Sequence, residues 1–289
     1  MIVSKIAPLS GLAAATPPSL PRRRVLYCAA GALCYSVWPT LSLAKASAAP
    51  AESVITAKVI NRAARLRGLS QRIAKVYCQI LLDVQPKEAS ATLVASRALV
   101  HTGLEELLKE SWPAVVIQAL TQVRAIYQGL DAQLVLPPSR ESVLAVAAQS
   151  DNLLVAAEVL TTTFQKFAGR GANEVFTTAG RQRVLSQRLA KNYFLSTAGL
   201  AGKEVQEQRS TDAIEFKKAM NHLARAPLTS SGIRGEIEAG QMQWVFFEAA
   251  LAREPDERGQ LAVATTSERL LEVMEKLTVQ YEVALRDAN

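Results

Sequence analysis

Two short stretches carry most of the chemistry this chain offers. Ala63 to Tyr77 reads Ala-Ala-Arg-Leu-Arg-Gly-Leu-Ser-Gln-Arg-Ile-Ala-Lys-Val-Tyr, and Ala179 to Tyr193 reads Ala-Gly-Arg-Gln-Arg-Val-Leu-Ser-Gln-Arg-Leu-Ala-Lys-Asn-Tyr. Ten of these 15 positions are identical at an offset of 116 residues, including Arg65/Arg181, Arg67/Arg183, Ser70/Ser186, Arg72/Arg188 and Lys75/Lys191. Residues 53–82 hold six basic side chains and no acid, and residues 175–202 hold four and no acid. Neither stretch can therefore neutralise its arginines through pairs three or four residues apart. A buried guanidinium without a partner costs several kcal/mol. Its partner must come from another segment or from a bound anion, and the planar fork of arginine suits a flat oxyanion that accepts paired charge-assisted bonds.

Placing both stretches on helices divides the arginines. At 100° per residue, one apolar face carries Ile55, Val59, Leu66, Leu69, Ile73, Val76 and Ile80. A second stripe carries Ile60, Ala63, Arg67, Ser70 and Ala74, matched by Phe176, Ala179, Arg183, Ser186 and Ala190. Small residues on that stripe allow another backbone to approach, so Arg67 and Arg183 are expected at a helix–helix contact. Arg65, Arg72 and Lys75, with Arg181, Arg188 and Lys191, fall on the opposite flank and read as a solvated or partly paired face. If the stripe arginines pair within the protein, Glu105, Glu158 and Glu248 are candidate partners.

The elements needed to position these stretches are helical throughout. Alanine and leucine are abundant, aromatics are few, and no stretch reads as strand-rich. Helices are expected at about 53–83, 88–110, 113–134, 140–167, 173–198, 203–224, 232–252 and 257–287, divided by Pro86, Pro113, Pro137-Pro138, Gly169-Arg-Gly171, Gly199, Gly202, Pro227 and Pro255. Ser139 is placed to cap the fourth helix. The repeat extends beyond the basic motif: Ala145-Val-Ala147 and Ser150-Asp-Asn-Leu-Leu154 echo Ala262-Val-Ala264 and Ser267-Glu-Arg-Leu-Leu271 at an offset of 117. The expected fold is all-α, with two tandem antiparallel four-helix bundles, 49–168 and 172–287, forming an internal pseudo-dimer.

Residues 1–48 read as an export signal. Arg22-Arg23-Arg24 precedes an apolar run from Val25 to Trp38, and Ala44-Lys-Ala46 and Ala46-Ser-Ala48 are candidate cleavage sites. The arginine cluster resembles a twin-arginine signal, with Pro21 in place of the usual Ser or Thr; an uncleaved anchor is the alternative. Residues 1–46 carry five basic and no acidic residues of a chain whose net charge is +7. The remainder is near neutral, which argues against a broad nucleic-acid surface. No membrane span is expected after the signal. Loss of the signal removes Cys28 and Cys34, leaving Cys78 as a small core residue. The expected location is the periplasm.

At the level of motif, Asn61 to Arg72 and Thr178 to Arg188 resemble the periplasmic helix motif of the NarX/NarQ nitrate-sensor kinases and the N-terminal domain of PilJ-type pilus chemoreceptors. That resemblance implies four-helix bundles and a non-enzymatic, cofactor-free sensor. In the nitrate sensors one arginine from each subunit grips nitrate at the dimer axis, and by motif position the matching residues are Arg67 and Arg183. The neighbouring family glycine matches Gly180 in the second copy but Ala64 in the first, where a methyl is added. Arg65 and Arg181 add charge that the family motif lacks. PilJ-type domains share the motif without a settled nitrate ligand.

The leading expectation is an exported protein that binds a small oxyanion, nitrate or nitrite favoured, between Arg67 and Arg183. The chain carries no kinase or methyl-accepting region, so a separate protein partner is expected to receive the signal. The competing expectation is a structural or protein-interaction module whose arginines pair with acids. An enzyme is the weakest reading: His101 and His222 are isolated, and no Glu-x-x-His or metal-ligand spacing occurs.

Overall fold

The computed structural model describes residues 55–168, 174–226 and 230–287. The expected export signal, the Gly169-Arg-Gly171 break and Pro227 lie outside them. Eight helices run through the described residues, and no strand occurs among them. In chain order they are α1 (Ala57–Leu81), α2 (Pro86–Leu108), α3 (Ala114–Gln133), α4 (Arg140–Phe167), α5 (Glu174–Thr197), α6 (Lys203–Leu223), α7 (Ser231–Leu251) and α8 (Glu257–Asp287). The fold is all-α.

Local chemistry sets the helix ends. Thr56 and Ser230 cap α1 and α7 by accepting backbone N–H groups three residues on. Ser139 forms a reciprocal capping box with Ser142 at the start of α4. The two basic helices end alike. At the end of α5, Gly199 adopts φ +66°, its N–H bonds to the Ser196 carbonyl, and the Leu200 N–H reaches the Leu195 carbonyl. At the end of α1, Asp83 adopts φ 57° and Val84 reaches Gln79 in the same pattern. Both ends are Schellman motifs, and the first uses an aspartate where glycine is the ordinary choice.

Packing places α1 and α5 at the centre. Helix α1 packs on α2, α4 and α5, and α5 packs on α1, α6 and α8; α3 lies against α4 and α7 against α8. Side-chain pairs fix the directions. Arg67 meets Glu158 while Tyr77 meets Ser142, so α1 runs antiparallel to α4. Asn61 meets Glu282 while Arg72 meets Glu268, so α1 is antiparallel to α8. Arg183 meets Glu275 while Gln187 meets Ser267, so α5 is antiparallel to α8 as well. It follows that α1 and α5 run parallel. Both stripes named above are buried: Ile60, Ala63, Arg67, Ser70 and Ala74 on α1, and Phe176, Ala179, Arg183, Ser186 and Ala190 on α5. Ala49–Asn289 forms one compact unit.

By length and composition α4 could cross a membrane, where no such segment was expected. Its Val143, Val146, Leu153, Leu160 and Phe164 are fully buried in the core. Cys78 is fully buried as a free thiol, and desolvation pushes its pKa up to about 12.

Candidate functional site

Arg67 and Arg183 come from equivalent turns of the two parallel helices, and both are about 98% buried or more. Their side chains lean back toward the helix N-termini, so Arg67 Nε donates to the Ala64 carbonyl at 3.2 Å and Arg183 Nε to the Gly180 carbonyl at 3.3 Å. The approach is close because of small residues. A Cβ built on Gly68 would sit 3.5 Å from Arg183 Cβ. One built on Gly180 would lie 3.4 Å from Arg183 Nη2 and 3.8 Å from Arg67 Nη2. Two like charges therefore share the space beside Gly180. Burial pushes the Arg183 pKa down, Glu275 opposes that, and Arg67 adds to the depression.

Each guanidinium meets a carboxylate that enters from the surface. Arg67 Nη1 donates to Glu158 Oε2 at 2.6 Å, and Arg183 Nη1 to Glu275 Oε2 at 3.1 Å. Glu158 and Glu275 are themselves related by the 117-residue offset. Of the three acids considered from sequence, Glu158 alone takes a stripe arginine. Glu105 stands 3.6 Å from His101, and Glu248 accepts from Lys217 and Trp244.

The two halves differ in how firmly the carboxylate is held. Glu275 also accepts from Arg65 Nε at 3.1 Å, and Arg183 Nη2 donates to Asn61 Oδ1 at 2.9 Å. Among the described residues Glu158 makes one hydrogen bond, to Arg67, and its side chain is 46% exposed. Arg67 Nη2 makes no hydrogen bond to the described residues. Grooves of about 420 and 340 Å³ run beside α1, and both are lined by Arg65 and Glu275. Neither is lined by Arg67 or Arg183.

About two turns further on lies a second charged layer. Lys75 and Lys191 were expected on a solvated or partly paired flank; both are ion-paired, and their burial is the correction. The reason is tertiary: the flank of each lysine is covered by the other half of the chain. Lys75 reaches Ser267 and Glu268 on α8, while Lys191 reaches Asp151 on α4 at 2.6 Å. Asp151 and Glu268 are equivalents at the 117-residue offset. Burial depresses the Lys75 ammonium and Glu268 opposes it; Arg72 gives Glu268 a second cation, and the two cations hold its pKa down to about 2. Gln71 and Gln187 sit between the layers and donate to backbone carbonyls of α4 and α8.

The flanking arginines are partly exposed and ion-paired, but with different partners. Arg181 and Arg188 bind Glu215 and Asp212 on α6. Arg65 and Arg72 cross to Glu275 and Glu268 on α8. The cause is visible in α2, which places Leu99 and Ser96 where α6 places Glu215 and Asp212, 116 residues later. Lacking those acids, the first copy turns to the other half. Glu275, Asn61, Asp151 and Glu268 were not singled out from sequence, although the offset pairing Glu158 with Glu275 was a signal that could have found them.

Among the described residues no group of three or more His, Cys, Asp or Glu side chains is arranged to hold a metal ion. Comparison of the chain with family models, with curated proteins and with solved structures gave no match.

Proposed function

We propose that this chain is an exported, non-enzymatic sensor of a small planar oxyanion, nitrate or nitrite in preference, which passes its response to a separate protein partner. The observation that carries this reading is the meeting of two buried guanidiniums beside Gly180, with Arg67 Nη2 making no hydrogen bond to the described residues. The resemblance of the two motif segments to the nitrate-sensor helices supports it.

On this reading Glu158 is an internal occupant of the anion site. A carboxylate and nitrate share a flat arrangement of oxygens, so the anion takes the Glu158 position on Arg67 and extends to Nη2. Glu158 then turns to solvent, which costs little for a side chain already half exposed. Arg183 stays with Glu275 and Asn61 and lends its charge, giving one anion per chain. Binding removes the tie between α1 and α4 and screens the repulsion between α1 and α5. An anion that prefers one packing of these helices shifts the population toward it. The test is thermal unfolding of the full chain at fixed ionic strength. Nitrate should raise the transition temperature over chloride, and equal transitions in the two salts would reject the reading.

A second reading is favoured by one observation: both stripe arginines already have carboxylate partners. The centre would then be a fixed polar core of a structural or protein-interaction module. That reading expects no nitrate effect. It also expects Arg67→Met with Glu158→Leu to fold normally, since a buried ion pair can be exchanged for apolar residues at little cost.

A further inference from the structure

The outer face of α4 carries Leu144, Val155 and Val159, each 47–65% exposed. The fold does not require an apolar face there. At the 117-residue offset, α8 places Glu272 and Lys276 where α4 has Val155 and Val159, and those two form an ion pair at 2.8 Å. At these two positions the surface is charged on α8 and apolar on α4, while Leu144 is matched by the exposed Leu261. Exposed apolar stripes of this kind mark contact surfaces.

We infer that α4 is the interface between two copies of this chain, packed antiparallel about a two-fold axis passing between Asp151 and Asn152. A two-fold interface must be self-complementary, and this stripe is. Reversal about that axis sets Leu144 against the second copy's Val159 and Ala148 against its Val155. Between them, Asn152 faces the second copy's Asp151. Asp151 Oδ1 is taken by Lys191 and Gln71, while Oδ2 makes no hydrogen bond to the described residues and is open to the incoming amide. Near the ends, Lys166 comes within about one turn of the second copy's Glu141, so opposite charges meet. The small Ala145 and Ala148, both exposed, allow the helices to approach. A contact confined to one helix from each copy is small, so the dimer forms reversibly at micromolar concentration.

The experiment uses the full chain in size-exclusion chromatography with light scattering over a range of concentrations. The wild type should move from the mass of one chain toward twice that mass as concentration rises. Val155→Glu with Val159→Lys installs the α8 residues and should hold the chain at the single mass, with unchanged helical content by circular dichroism. Ala148→Arg, at an exposed position, should do the same and guards against misfolding of the double variant. A wild type that stays at the single mass at high concentration overturns the proposal, as do variants that fold and still double. Vesicles of mixed zwitterionic and anionic phospholipid form a second arm. A wild type that never doubles but binds these vesicles, with binding lost in Val155→Glu/Val159→Lys, assigns the face to a lipid surface and also overturns it.

Discussion

Removing the Glu158 carboxylate isolates the role of that side chain. In Glu158→Ala, Arg67 loses its 2.6 Å bond from Nη1, and among the described residues the Nε bond to Ala64 is the one that remains. The side chain of Arg67 is 2% exposed, so the charge is left in a poorly solvated place. Removing one partner of a buried ion pair costs about 3–5 kcal/mol. Glu158 is 46% exposed, so its truncation admits water to Nη1 and puts the cost at the lower end, about 3 kcal/mol. For a folded unit of this size that lowers the transition temperature by about 6–12 °C. The vacated position has the shape of a planar oxyanion. Nitrate at about 100 times its dissociation constant would return about 2.7 kcal/mol, close to the whole loss. The assay is differential scanning calorimetry of wild type and variant in nitrate and in chloride at equal ionic strength. A variant that melts with the wild type, or one that chloride restores as well as nitrate does, would refute the reasoning.

Other consequences follow from single contacts. Gly259→Ala would set a Cβ 2.0 Å from the Glu254 carbonyl oxygen, so the start of α8 must shift; urea unfolding should show a loss of about 1–3 kcal/mol. Asp83→Gly relieves a left-handed residue at the end of α1 and should raise stability by about 1 kcal/mol in the same assay. Glu268 carries an acid-dependent part of the stability. Burial pushes its pKa up, but Lys75 and Arg72 outweigh that and bring it from 4.5 to about 2. The folded value lies below the unfolded one, so the contribution is complete above pH 4.5 and is lost as pH falls through about 2. Glu268→Gln should flatten the wild-type decline in transition temperature over that interval. Cys78 should resist a thiol reagent in the folded chain and react only on unfolding, because its thiol is buried and held protonated.

The helices were legible because apolar spacing, prolines and capping serines act locally, and Ser139 shows this well. The end of α1 was less so, because the left-handed position that Gly199 announces is filled by Asp83 in the first copy. The burial of Arg67 and Arg183 could be anticipated from the small residues around them on one helical stripe. The burial of Lys75 and Lys191 could not, since a helical wheel does not know which neighbour covers which flank. The different partners of Arg65 and Arg181 were written in the sequence, in Leu99 against Glu215, but that comparison gains meaning only once α2 and α6 are known to lie beside the arginines. The convergence at Gly180 depends on α1 and α5 running parallel and in register, a property of eight helices together and of neither motif alone.

Isothermal titration of nitrate into the full chain, alongside Arg67→Ala and Arg183→Ala, tests the central claim most directly. One anion should bind per wild-type chain, with binding abolished in Arg67→Ala and weakened in Arg183→Ala through loss of the second charge beside Gly180. Equal nitrate affinity in all three chains, or no binding by the wild type, would contradict it.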